Sequence, residues 1–144
     1  MADPTGLETV MEHYHQGLHE LVNGNCDSLK PMWSEADDVS LGNPFGPFVT
    51  GRQQVISTME RATSHYKDGE VVAFEKVAKH LTPDLAFVVE VERYKAKIGG
   101  GDDVVPVNLR VTTIFRPEGG SWKILHRHAD PITTLQTVES VIGA

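Results

Sequence analysis

Three short breaks constrain this chain more than any other feature: Thr82-Pro83-Asp84, Gly99-Gly100-Gly101-Asp102-Asp103 and Glu118-Gly119-Gly120. They separate four stretches, 70–80, 85–97, 104–116 and 121–128, that are rich in β-branched and aromatic residues and read as strands. A parallel crossover needs about a dozen residues or more, so links this short make each strand the antiparallel neighbour of the next.

The sequence before residue 70 reads differently. Leu7, Val10, Met11, Tyr14, Leu18, Leu21 and Val22 recur at three- and four-residue steps, the stripe of an amphipathic helix. Asn23-Gly24-Asn25 ends it. A second, short helix is expected at about 26–34, with Leu29, Met32 and Trp33 on one side; Pro31 restricts it to a turn or two. Residues 38–42 read as a short strand and 43–48 as a turn-rich loop or hairpin. Gly51 opens a third helix, carried by Val55, Ile56, Met59 and Ala62 and ending near Tyr66. Helices followed by an antiparallel meander is an α+β order. The expected fold is a cone of three N-terminal helices packed on a curved antiparallel sheet, as a single domain over residues 1–144, with a peripheral tail from Ile132.

Composition excludes several function classes. The net charge is -7 and no block of Lys and Arg occurs, which argues against nucleic acid or an anionic membrane as partner. No run of about 18 apolar residues is present, so no membrane span is expected. The single cysteine, Cys26, leaves no intrachain disulfide. Together with a start, MADPTGLETV, that lacks a basic and an apolar region, this suggests a cytoplasmic protein. No cofactor is expected. Gly99-Gly100-Gly101 follows a strand but opens no helix, and Asp102-Asp103 would repel phosphate. No metal is expected either. His15 and His19 are four apart with Glu12 and Glu20 near, yet no third ligand is placed, and a solvated helix face is the simpler reading.

A twisted sheet with helices on one face leaves room for a pocket between the layers. Strict alternation decides what lines it. In the second strand Ala86, Val88, Glu90, Glu92 and Tyr94 share one face. In the third, Asn108, Arg110, Thr112 and Ile114 alternate with Val107, Leu109, Val111, Thr113 and Phe115. In the fourth, Trp122, Ile124, His126 and His128 alternate with Lys123, Leu125 and Arg127. A buried arginine would need a carboxylate partner, so a Glu–Arg–His set across the strands is one way to hold a histidine in one tautomer for acid/base work. Apolar residues on both faces fit one face as core and the other against a second subunit, a homodimer through the sheet.

Three stretches carry a family resemblance. "NGNCDSLKPMWSEADDVSLGNPFG" (23–46) has a small-residue turn, a short helix ending in Trp33, then acidic residues and a strand. "VTGRQQVISTM" (49–59) has a Gly-led helix, and "TTIFRPEGGSWKILHRHADP" (112–131) a last hairpin with a trailing histidine. In this order they resemble the NTF2-like, SnoaL-like group that includes ketosteroid isomerase. The resemblance covers nearly the whole chain and implies the fold. For function it implies only a range, since that fold hosts isomerases, dehydratases, cyclases, epoxide hydrolases and non-enzymes.

Ketosteroid-isomerase chemistry needs a carboxylate base and an oxyanion hole of a tyrosine and a neutral acid. The base normally precedes a proline after the first strand; here Asn43 precedes Pro44. Asn108 or Thr112 stand where the acid would be, and Gly17 where the tyrosine would be, with Tyr14 a turn earlier on the same stripe. The candidate residues are therefore His128 and His126 as acid or base, and Tyr14, Trp33, Asn43, Glu90, Tyr94, Arg110 and Thr112 around a small organic ligand. The expected activity is an isomerase, dehydratase or cyclase step by general acid/base catalysis on a small hydrophobic substrate. The rival is a non-catalytic binding or dimerisation module of the same fold, which a cavity smaller than about 300 Å³ would favour.

Overall fold

The computed structural model describes residues 4–143, with side chains from Gly6 onward. Helix α1 spans Pro4–Leu21, β1 Ser40–Asn43, β2 Gly46–Thr50, α2 Arg52–Thr63, β3 Tyr66–Leu81, β4 Ala86–Ile98, β5 Val105–Glu118, β6 Ser121–Asp130 and α3 Val138–Val141. The meander β3–β6 forms as the short breaks require, and β6 stops at Asp130, before Pro131. Two of the three expected N-terminal helices form. The middle one is reduced to a single 3₁₀ turn, Lys30–Met32, because Pro31 cannot donate to a continuing helix. The Arg52 guanidinium bonds the carbonyls of Trp33 and Ser34 beyond the turn, and that of Lys30, which also accepts from the Trp33 N–H.

The sheet has six strands, not four, in the order β2-β1-β6-β5-β4-β3. Residues 43–50 make a true hairpin, and β1 lies parallel to β6 with Ser40 opposite His126 and Gly42 opposite His128. Bulges interrupt the β3–β4, β5–β6 and β1–β2 pairings. Each adds local twist, and the sheet curls around α1. The core lies between them: Leu7, Tyr14, Leu18 and Val22 of α1 are buried against Val88, Tyr94, Leu109, Val111, Phe115, Trp122 and Ile124.

Two glycines set the distance between layers. A Cβ on Gly17 would stand 2.5 Å from Leu29 Cδ2, so the bare backbone of α1 lets the 3₁₀ segment close over the helix. A Cβ on Gly69 would stand 2.4 Å from the carbonyl oxygen of Val22, so β3 passes the end of α1 only because residue 69 has no side chain. Among the described residues no helix is long and apolar enough to cross a membrane.

Candidate functional site

One extra residue in β6 decides which side chains face inward. Ile114 pairs with His126 while the next residue, Phe115, pairs with Ile124, so Leu125 is left over. Such a bulge reverses the alternation beyond it. Trp122 and Ile124 point into the core before the bulge, and Arg127 and Ala129 point inward after it. On β5 the inward set is Leu109, Val111, Thr113 and Phe115, and on β4 it is Ala86, Val88, Glu90, Glu92, Tyr94 and Ala96.

Arg127 therefore enters the space beneath α1, where a lone charge would be costly. Its NH1 and NH2 groups donate to the two carboxylate oxygens of Glu92 at 2.7 and 2.8 Å, and Glu92 is 0% exposed. NH1 also donates to the Tyr14 hydroxyl. The Tyr94 hydroxyl donates to Glu92 at 2.5 Å, and Tyr14 Oη lies 3.2 Å from Thr113 Oγ1. Burial works against the guanidinium charge, but Glu92 more than offsets it and holds Arg127 protonated. Burial pushes the Tyr14 hydroxyl up to about 12, against the pull of Arg127, so Tyr14 is a neutral phenol. The Tyr94 hydroxyl is pushed up by burial and by the neighbouring Glu92 charge. Every buried side-chain nitrogen and oxygen among the described residues has a partner.

This network forms the polar floor of a cavity of about 50 Å³. Its walls include Leu18, Leu29, Trp33, Met59 and Leu109, and Asn43, Pro44 and Phe45 form its outer rim. At about 10–15 Å³ per water, it has room for roughly four waters or a comparable number of ligand atoms. Arg127, Tyr14, Tyr66 and Asn43 bring polar side chains to it. Among the described residues that line it, none is a carboxylate or a histidine.

Residues 7–133 match the SnoaL-like domain. The chain belongs to the SnoaL-like family. Solved structures similar to it agree on the fold. A ketosteroid isomerase-like protein from Erwinia carotovora atroseptica shares 17% identity at a TM-score of 0.72, covering 88% of this chain and 94% of that one. A protein of the NTF2-like family from Streptomyces avermitilis, proposed to be a dehydratase, shares 21% identity at 0.70, covering 88% and 99%. An NTF2-like protein of unknown function from Pseudomonas putida shares 20% at 0.69, covering 97% and 92%. At such identities the likeness speaks for the fold alone. A comparison with the curated proteins finds no match.

Within this SnoaL-like chain the expected site residues separate into two groups. Tyr14, Trp33 and Asn43 line the cavity, and Tyr94 stands behind its floor through Glu92. Asn43 is also a turn former, since its side-chain oxygen accepts from the Phe45 N–H at 3.0 Å. Glu90 is buried on the inward face but is taken by His15, at 2.8 Å, and does not line the cavity. Arg110, Thr112, His126 and His128 lie on the opposite face of the sheet, because of the bulge at Leu125 and the alternation of β5. There Arg110 pairs with Asp130 at 2.7 Å and Ser40 Oγ meets His126 Nδ1 at 2.6 Å. Phe48 packs beside both histidines.

The solvated helix face expected for the N-terminal histidines holds for His13 and His19 only. The His15 ring stacks on Phe74 at 3.7 Å and reaches Glu90. Among the described residues no group of three side chains could hold a metal ion. Thr113 carries no sequence expectation; Glu92 is expected, with Glu90, as a cross-strand partner of Arg110 and is instead held by Arg127, which the sequence offers only as an alternative to the two histidines. The signal for them was available: two carboxylates on an inward face demand cationic or hydroxyl partners.

Proposed function

We propose that this SnoaL-like chain binds a small organic molecule in the cavity beneath α1, with Arg127 and Tyr14 gripping one of its oxygen atoms. The observation that carries this reading is an ion pair buried at the base of an otherwise apolar cavity. Replacing a buried ion pair by apolar side chains is often neutral or stabilising, so stability alone gives no reason to keep one there. Charged groups in a cleft with a strongly shifted neighbour such as Tyr14 are the usual mark of a functional site. Two donors converging on one point would polarise a carbonyl oxygen, the electrophilic half of isomerase, dehydratase or cyclase chemistry. The basic half would have to come from the ligand or from outside the lining residues, and so the reading is binding and polarisation first, catalysis second.

The test is a small-fragment titration followed by NMR on labelled protein. Ketones, amides and alcohols of about five heavy atoms are expected to shift the amide signals of Tyr14, Leu109 and Ala129. The cavity-filling variant Ala129→Leu is expected to abolish those shifts while the rest of the spectrum is kept. Shifts that survive Ala129→Leu, or none in the native protein, would remove the reading.

A second reading, an assembly module, is the one favoured by the cavity's volume, about 50 Å³ against the roughly 300 Å³ expected of a ligand pocket, and by the far face of the sheet. Phe48 is 60% exposed and Leu85 42%, and Phe87, Val89, Val91 and Ile114 lie half-buried beside them. An apolar patch with a polar rim suits contact with a second copy of the chain. Sedimentation velocity is expected to give a dimer that Val91→Lys converts to a monomer. A native monomer at high micromolar concentration would set this reading aside.

A further inference from the structure

We propose that the cavity selects uncharged ligands over carboxylates, and that Glu92 is the residue that sets this selection. The inference rests on the reading of the cavity as a ligand site. An arginine at the base of an apolar pocket would ordinarily suggest an acidic ligand, because a guanidinium holds a carboxylate with two parallel bonds. Here one of its two forks, the NH1/NH2 edge, is already filled and its charge already matched. Glu92 takes both prongs at 2.7 and 2.8 Å from a fully buried position, and Tyr94 fixes the same carboxylate from the other side.

The floor therefore carries one positive and one negative charge and no net charge. An entering carboxylate would lose its water and meet Glu92 just behind Arg127, with nothing to compensate it. A carbonyl, amide or hydroxyl oxygen has no such charge to bury. It still finds donors. Three N–H groups of Arg127 are used by Glu92 and Tyr14, and of the five on a guanidinium two find no acceptor among the described residues. The Tyr14 phenol, neutral and accepting from Arg127, adds a hydroxyl whose proton is free for a ligand when Thr113 Oγ1 is the donor in their 3.2 Å contact. A neutral acceptor on a short apolar body is the chemistry these groups would recognise.

Propionamide and propionate test this directly, since they share shape and heavy-atom count and differ in charge. Each is titrated at pH 7 into the labelled native protein and into Glu92→Gln, with the cavity amide signals as readout. Propionamide is expected to bind the native protein at least about tenfold tighter than propionate. Glu92→Gln frees the charge of Arg127, and the order is expected to reverse by a similar factor. A merely structural role for Glu92 would weaken both probes alike. Equal or better binding of propionate by the native protein would overturn the proposal, and so would a folded Glu92→Gln that keeps the native ranking. If Glu92→Gln does not fold, the native ranking alone decides. No response to either probe in the native protein would instead bring down the reading of the cavity as a site, and this selection with it.

Discussion

Arg127 of β6 and Glu92 of β4 form a two-pronged ion pair although β5 lies between their strands. Both side chains lie over the inward face of β5 and meet at the Tyr14 hydroxyl of α1. One pair thus ties β4, β6 and α1 together across β5. Removing one partner strands the other charge in the core. Arg127→Met or Glu92→Leu alone is expected to lower stability by about 3–5 kcal/mol. The double variant is expected to recover most of that loss, since two apolar side chains leave no orphaned charge. Urea unfolding of the four proteins gives the coupling energy. A double variant as unstable as the sum of the singles would mean that the two residues do not act as a pair.

Gly69 and Gly17 look equivalent in the sequence and should not be equivalent in effect. The Cβ of Gly69→Ala would collide with a backbone carbonyl, which cannot move without shifting the end of α1. That of Gly17→Ala would collide with the tip of the Leu29 side chain, which can turn aside toward the cavity. Gly69→Ala is expected to cost about 2–3 kcal/mol or more. For Gly17→Ala the expected loss is smaller, because alanine favours a helix interior by up to about 1 kcal/mol over glycine and offsets part of the clash. Thermal unfolding ranks the two, and a larger loss at residue 17 would contradict the contact geometry.

Much of this architecture is legible in the sequence because it rests on local rules. The breaks at 82–84, 99–103 and 118–120 allow only antiparallel neighbours, and the apolar stripe of α1 is a local periodicity. What is not legible depends on pairing between distant segments. The short strand β1 finds its partner about 85 residues later in β6, and nothing in either segment announces a parallel pairing. The bulge at Leu125 exists because β5 and β6 slip by one residue, and no residue type at 124–126 requires it. That single slip exchanges His126 and His128 for Arg127 as the side chain facing α1. Of the residues expected from the sequence, Tyr14, Trp33 and Asn43 line this cavity, while Arg127 reaches it only through the slip.

His126 should make stability depend on pH. Partial burial disfavours its charged form, and the neighbouring His128 adds repulsion, so its folded pKa lies below the ordinary histidine value. The groups packed around it are Ser40 of β1, Phe48 of β2 and His128 of β6, with Asp130 and Arg110 paired beyond. A depressed folded pKa means that the unfolded chain binds the proton more readily. The contribution is present above the unfolded value of about 6.5 and is lost as pH falls through the folded value. Unfolding free energy is expected to fall between about pH 6.5 and 5, and His126→Asn is expected to flatten that slope. An unchanged slope in the variant would assign the effect to other groups.

Phe45 should control the rate of entry to the cavity rather than its affinity. It lies at the tip of the β1–β2 hairpin, is 40% exposed and forms part of the rim. Its ring leans on His65 at 4.8 Å and stands edge-on to Tyr66 at 6.1 Å, and these are its ring contacts among the described residues. A half-exposed ring held by two such contacts can swing away at modest cost. In the proposed binding mode the gripping groups are Arg127 and Tyr14, and neither is among the ring contacts of Phe45. Phe45→Ala is therefore expected to raise the association and dissociation rates of propionamide together, by about tenfold, with the dissociation constant changed less than about threefold. Stability is expected to drop by no more than about 1 kcal/mol, since the ring is largely outside the core. NMR line-shape analysis over a titration separates the two rates. An affinity that collapses with unchanged dissociation kinetics would place Phe45 among the gripping groups, and rates that do not move would place the entrance elsewhere.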